Sequence, residues 1–168
     1  MSHMTDAQII TLRAGCFAIP AAAALIAAGN SAGLQSWLNS ADAGVVCWKT
    51  SVPLADVAAN VDGVELVGLT AIKLAAYQAL LLAGTVNPSK DRTRAGFDAV
   101  FSAAGGATTR PLLLALWKRA MTRAEKIFAT GTGTDASPAY VTWEGDIDAT
   151  DSTRVIFKDN GTIWTPQG

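Results

Sequence analysis

One histidine, His3, is all the imidazole in this 168-residue chain, and it sits in Met1-Ser2-His3-Met4, which reads as a terminus or a vector scar. A Ser–His–Asp triad or a His-ligated zinc would have to use a residue in a floppy end, so both chemistries are set aside. Charge is also scarce. Only 16% of residues are charged and the net charge is −1, which leaves no electrostatic footprint for nucleic acid or an anionic membrane. A chain this neutral repels copies of itself weakly and tolerates association. There are two cysteines, Cys16 and Cys47, and neither sits in a CxxC pair. They read as buried, small apolar side chains in a reducing compartment, with a disulfide as the alternative.

A long hydrophobic span is missing as well. The apolar run Ala14 to Gly29 has the look of a signal-peptide core, but it is too short to cross a bilayer comfortably. Asp6 precedes it along with Arg13, Pro20 cuts it in two, and Arg13 occupies the place before Cys16 where a lipoprotein signal needs an aliphatic residue. It reads as two Ala-rich helices of a helical core.

Half of the residues are hydrophobic, and most of them recur at helical spacing. Thr5-Asp6 predicts the start of a helix reaching about Phe17, with Ile9, Leu12 and Cys16 facing inward. Pro20 suits the first turn of a second helix to Ala28, ended by Gly29-Asn30. Ser31 is expected to cap a third, Ala32 to Asn39, with Leu34, Trp37 and Leu38 on one face. Gly44 to Val52 is β-branched and predicts a strand or extended connector. A helix restarts at Pro53 and ends at Asp62-Gly63. Thr70 caps another over Ala71 to Ala83, apolar nearly all round, as expected of a central core helix or an interface. Asn87 and Pro88 predict the start of a helix running to Ala104. A last long helix spans about Pro111 to Phe128, with Leu113, Leu116, Trp117, Ala120, Ala124, Ile127 and Phe128 on its inner face.

After Thr130 the helical period vanishes. Tyr140 to Trp143 alternates at period two. Arg154 to Trp164 reads as a hairpin: a strand Arg154 to Lys158, a type I′ turn at Asn160-Gly161, then Thr162 to Trp164. The fold class expected is mainly α, a multi-helix bundle with a C-terminal β-hairpin or three-strand arm. The domains expected are a helical body over 1–130 with an extended segment near 44–52, a hinge or linker over 131–138, and a β arm over 139–168. So small a β element is marginal alone, and its open edges invite pairing with another chain.

Little in the chain points to catalysis or cofactor binding. The Gly131-Thr132-Gly133-Thr134 run follows a helix, whereas a phosphate cradle needs glycines ahead of one. Gly131 and Gly133 are therefore expected to form a hinge. Asp146, Asp148 and Asp151 lack the central Gly and closing Glu of a calcium loop, and Asp148 to Asp151 reads as a turn between strands. Ser89-Lys90 has no supporting catalytic motif. No catalytic, cofactor or metal residue is assigned. The cations Lys90, Arg92, Arg94, Lys118, Arg119 and Arg123 read as solvated faces offset by Asp91, Asp98 and Glu125, with contacts to DNA phosphate or to an acidic surface of a partner subunit as the alternatives. Of the five tryptophans, Trp37 and Trp117 read as core. Trp143 and Trp164, with Tyr140 and Phe157, are the candidate interface anchors on the arm.

"VVCWKTSVPLADV", "GTVNPSKDRTRAGFDAVFSA" and "KRAMTRAEKIFATGTGTDASPA" together resemble a family of small proteins of tailed bacteriophages and prophages, most of unassigned role. The resemblance covers most of Gly44 to Ala139. It implies a virion or virion-assembly protein: a ring-forming head–tail connector or adaptor subunit of the neck. Such a subunit would be made in the host cytoplasm and would contact copies of itself and portal or tail components. It would bind no specific nucleic acid, membrane or cofactor. The alternative is an assembly chaperone or small cytosolic regulator absent from the particle.

Overall fold

The computed structural model describes residues 4–82 and 84–166, so His3 and the expected end of the helix at Ala83 lie outside the described residues. The chain is mainly α, about 53% helical, with ten helices among the described residues and small antiparallel sheets. In chain order the elements are α1 (Asp6–Phe17), α2 (Pro20–Ala27), α3 (Ser31–Asn39), β1 (Ala41–Trp48), β2 (Val52–Pro53), α4 (Leu54–Ala59), α5 (Gly63–Val67) and α6 (Ala71–Leu81). Then follow β3 (Thr85–Val86), α7 (Asp91–Val100), a 3-10 turn at Ala103–Gly106, α8 (Thr109–Leu116), β4 (Lys118–Thr122), α9 (Arg123–Ile127), β5 (Ala129–Thr130), β6 (Tyr140–Val141) and α10 (Ala149–Ile156).

The chain divides into two compact units, residues 1–45 with 120–168, and residues 46–119. The expected order of body, hinge and arm is replaced by a discontinuous unit that joins both ends of the sequence. β1 pairs with β4, and the division falls within both strands.

In the unit formed by the two ends, Thr5 and Gln8 make a reciprocal capping box at the start of α1. Pro20 opens α2, and the Asn30 side chain, not Ser31, caps α3 by accepting from Gly33 N at 2.8 Å. The core gathers Leu12 and Cys16 of α1, Ala22 and Ile26 of α2, Leu34 and Leu38 of α3, and Ala124 of α9. Ile147, Val155 and Ile156 complete it. Of the expected strand Arg154 to Lys158, Arg154 to Ile156 is instead the end of α10, and Phe157 alone is extended. The Asp148 carboxylate caps that helix, accepting from Asp151 N at 2.7 Å, so Asp148 to Asp151 is a helix start and not a turn between strands. Val155 and Ile156 are adjacent and both fully buried, which a strand with one solvated face would not allow. The chain does reverse at Asn160-Gly161, with Lys158 N donating to Thr162 O at 2.8 Å and Gly161 N to Lys158 O at 2.9 Å, but of the two residues Gly161 alone has positive φ, +76°, so the turn is not the type I′ expected. The hairpin around it shrinks to a single bridge, Phe157 to Ile163.

In the central unit, Val52 pairs with Val86 across β2 and β3. Its core is aromatic: Tyr77 meets Phe101 edge-on at 5.6 Å, and Phe97 meets Trp117 at 5.3 Å. Val57, Val100 and Leu113 fill the remainder. α7 starts at Asp91, later than expected, because the Asn87 side chain accepts from Ser89 N and Ser89 Oγ and holds a turn. The long helix expected over Pro111 to Phe128 is interrupted. Strand pairing of Lys118–Thr122 wins over its helical period, and the Trp117 carbonyl accepts from Lys49 N at 2.8 Å. Thr122 and Glu125 then form a second capping box that restarts the helix as α9.

Candidate interaction surfaces

The four predicted anchors do not lie together on an arm. Phe157 and Trp164 meet at the end of α10, where the Trp164 indole N–H donates to the Phe157 carbonyl at 3.1 Å. They line a cleft of about 580 Å³ with Asp6, Ile9, Arg13 and Arg154. Arg13 reaches from α1 to the last turn of α10, its Nε donating to Val155 O at 3.0 Å and its Nη2 to Arg154 O at 2.6 Å. A cation on the final carbonyls of a helix satisfies orphan acceptors and complements the dipole. The same guanidinium lies over the Trp164 ring at 4.0 Å. Burial, and then the nearby Arg154, push the Arg13 pKa down. Arg154 itself donates to Met4 O at 3.0 Å and to Asp6 and Asp151. Arg13 and Arg154 are thus committed to the chain's own carbonyls and carboxylates, and the third cation of the cleft, Lys158, lies over the Trp164 ring at 5.0 Å. What the cleft does chemically is fasten α10 to the first turns of α1.

Trp143 is half-buried against the core and its ring sits 5.5 Å from that of Phe128. It lines a second, shallower groove with Gln8, Thr11 and Thr142. Tyr140 stands exposed on β6. Gly131 and Gly133 both have positive φ, +98° and +70°, as expected of glycine. They do not form a linker. β5 and β6 pair antiparallel on either side, Ala129 with Val141 and Thr130 with Tyr140. Thr132 Oγ1 donates to Ser137 O at 3.0 Å and Ser137 N donates to Thr134 O at 3.1 Å. The segment is a loop closed on itself within one unit.

The surface with most uncovered aliphatic side chain lies in the central unit. α6 contributes only Tyr77 to the buried core, with Leu80 and Leu81 partly buried against it, which goes against the first of its two expected places, a central core helix or part of an interface. Ile72 and Leu82 are more than four-fifths exposed, as are Val64 and Val67 on α5. Isolated apolar residues on a surface are ordinary, but four large aliphatics left this exposed on two neighbouring helices in sequence are more than that. α5 was missed in the sequence, although Asp62 followed by Glu65 is an N-terminal helix signature. The Asp62 side chain does cap it, accepting from Val64 N and Glu65 N at 2.9 Å. Glu65 in turn accepts from Thr108 N at 2.7 Å and Thr109 N at 2.9 Å at the start of α8. Those bonds hold its carboxyl below the usual glutamate range.

Of the expected cationic faces, Lys90 and Arg92 stand exposed, whereas Arg94 and Arg123 are tied to local partners. Arg94 lies over Trp48 at 4.1 Å and bonds Pro88 O and Asp91. Arg123 lies over Trp37 at 5.0 Å and donates to Trp37 O and Ser40 Oγ, and Lys126 pairs with Asp42. Lys118 and Arg119 belong to β4 and not to a helix face. Cys16 and Cys47 are both buried free thiols, and burial pushes the Cys16 pKa up to about 12. Among the described residues no three His, Cys, Asp or Glu side chains gather as a metal site. Among them too, no single helix is long and apolar enough to cross a membrane. α1 and α2 pass that test only as a pair, bent by 109°. No protein-family model, curated protein or solved structure matches the chain.

Proposed function

We propose that this chain is a structural subunit of a tailed-bacteriophage particle, a ring-forming head–tail connector or adaptor of the neck, with no catalytic role. One observation carries the assembly reading: α6 is apolar on nearly every side, yet only Tyr77 is buried, so its surface is left for another chain to cover. The near-zero net charge supports it, because copies brought close repel weakly. The phage assignment rests on the motif resemblance over Gly44 to Ala139. The contacts are drawn from the central unit in place of a C-terminal arm, since the anchors Phe157 and Trp164 pack within their own chain.

The test is mass spectrometry of purified particles with copy counting. A copy number equal to one ring supports the neck assignment, and a capsid-like number moves the subunit to the shell. Absence from particles sinks the virion reading and leaves the assembly chaperone or regulator.

A further inference from the structure

β1 and β4 are pinned together at both ends by backbone hydrogen bonds. Arg123 N donates to Ser40 O at 3.1 Å at one end, and Lys49 N donates to Trp117 O at 2.8 Å at the other. Between those two bonds β1 runs for eight residues, Ala41–Trp48, and β4 for only five, Lys118–Thr122. Antiparallel strands in register oppose each other residue for residue. Eight against five therefore leaves β1 with three residues that β4 cannot oppose, which makes the surplus a bulge.

The residues on either side of the surplus are held. Asp42 pairs with Lys126 of α9, and Cys47 and Trp48 are buried. Ala43 and Gly44, between them, are exposed. Gly44 has φ +76°, the left-handed region that glycine enters without penalty and that marks one class of bulge. A Cβ added there would meet nothing within 4 Å, so the position uses glycine for its backbone and not for close packing.

The chain passes between its two compact units twice, at 45/46 and at 119/120. Both passages lie in these paired strands, and the first is next to Gly44. Ser40 and Arg123 belong to the unit of the two ends, Lys49 and Trp117 to the central unit. Each pin thus holds within one unit, and the surplus lies between the pins. We propose that the β1–β4 ribbon bends at Ala43-Gly44 and is a hinge on which the two units turn. Hinges concentrate the change of φ and ψ in a few residues. The surplus lets those residues change while both pins stay made, and the bulge interrupts the ladder that would otherwise stiffen the ribbon. The assembly role proposed above does not depend on it.

Distances between spin labels in the full chain test the hinge. Cysteines placed at Ala7 on α1 and Ala95 on α7, both exposed, report across the two units. A second pair at Ala7 and Ser36, both within the unit of the two ends, gives the width due to the labels themselves. Native Cys16 and Cys47 are buried and stay unlabelled. The expected result is a broader distance distribution for the first pair than for the second. Deleting residues 43–45 removes the surplus and should narrow the first distribution to the width of the control. Circular dichroism checks that the shortened chain folds. If it does not, Gly44→Val decides: its side chain has room but disfavours positive φ, so the distribution should shift. A first pair as narrow as the control in the wild type overturns the hinge. So does a broad distribution that the folded deletion, or Gly44→Val in its place, leaves unchanged.

Discussion

Deleting residues 139–168 distinguishes a C-terminal arm from a C-terminal core. An arm could be removed and leave a folded helical body. In the structure the deleted segment supplies Ile147, Val155 and Ile156 to the core of α1, α2 and α3, each of them at most 1% exposed. Burying such a side chain contributes about 1.5–3 kcal/mol, so the three together match the lower half of the ~5–15 kcal/mol by which domains are stable. The deletion also strips acceptors from Arg13, Gln35 and Asn39, the last two of which donate to the Ile147 carbonyl at 3.1 and 2.9 Å. The expected outcome, followed by far-ultraviolet circular dichroism during urea unfolding, is a loss of helix well beyond α10 alone, because α1–α3 and α9 lose their packing surface. A milder version keeps the chain intact. Ile156→Ala, at a fully buried site, should cost about 2–5 kcal/mol, read as a lower urea midpoint with unchanged slope. A truncated chain that keeps the helicity of α1–α3 and unfolds at the wild-type midpoint would refute the core assignment and restore the arm.

Three further outcomes follow from single groups. Gly131→Ala should destabilise by about 1 kcal/mol, because its φ of +98° disfavours a Cβ although the nearest atom, Ala139 Cα, leaves room at 3.6 Å; a hinge free to relax would show no loss in thermal unfolding. Glu65→Gln should lower stability at neutral pH and flatten the acid side of the stability profile. The folded carboxyl titrates below its unfolded value, so its contribution is present above about pH 4.3 and is lost as pH falls through the folded pKa. If wild type and variant share one pH profile down to the acid transition, the cap on α8 is not formed. Cys16 and Cys47 should resist a thiol reagent at mildly alkaline pH in the native chain and both react once guanidinium unfolds it; two thiols missing from the unfolded count would mean a disulfide.

The local signals of this fold were written plainly in the sequence, and the long-range ones were not. Thr5, Pro20, Gly29 and Thr70 mark helix ends by hydrogen bonds and dihedrals that act within four residues, and the structure places boundaries at each. Asn160-Gly161 also marks a reversal of the chain, but Gly161 alone of the pair has positive φ, so the turn is not the type I′ expected. The errors fall where a distant partner decides the state. Lys118–Thr122 carries a helical period, but pairing with β1 gives it a ladder that the sequence window cannot contain. Arg154 to Lys158 is β-branched and aromatic enough for a strand, yet the Asp148 cap and a core built by α1 and α3 keep Arg154 to Ile156 helical. α6 was legible as an apolar helix, but its exposure was not, because period and composition are the same for a helix buried within one chain and a helix buried between two.

That last ambiguity bears directly on function. Tryptophan in a glycine-rich tail suggests an anchor for a partner only while the tail is thought to lack a core of its own. Once α10 is placed against α1 and α3, Trp164 is accounted for by the Phe157 carbonyl on one side and the Arg13 guanidinium on its face. Trp143 is accounted for by Phe128. An aromatic already held by its own chain gives up those contacts to reach another, which lowers what a partner gains. Val64, Val67, Ile72 and Leu82 carry no such cost: more than four-fifths of each side chain is still in water, so covering them adds burial without breaking a contact. Energetically the assembly surface is therefore expected where the single chain leaves aliphatic side chains uncovered, in the central unit, and not where its aromatic residues are most conspicuous.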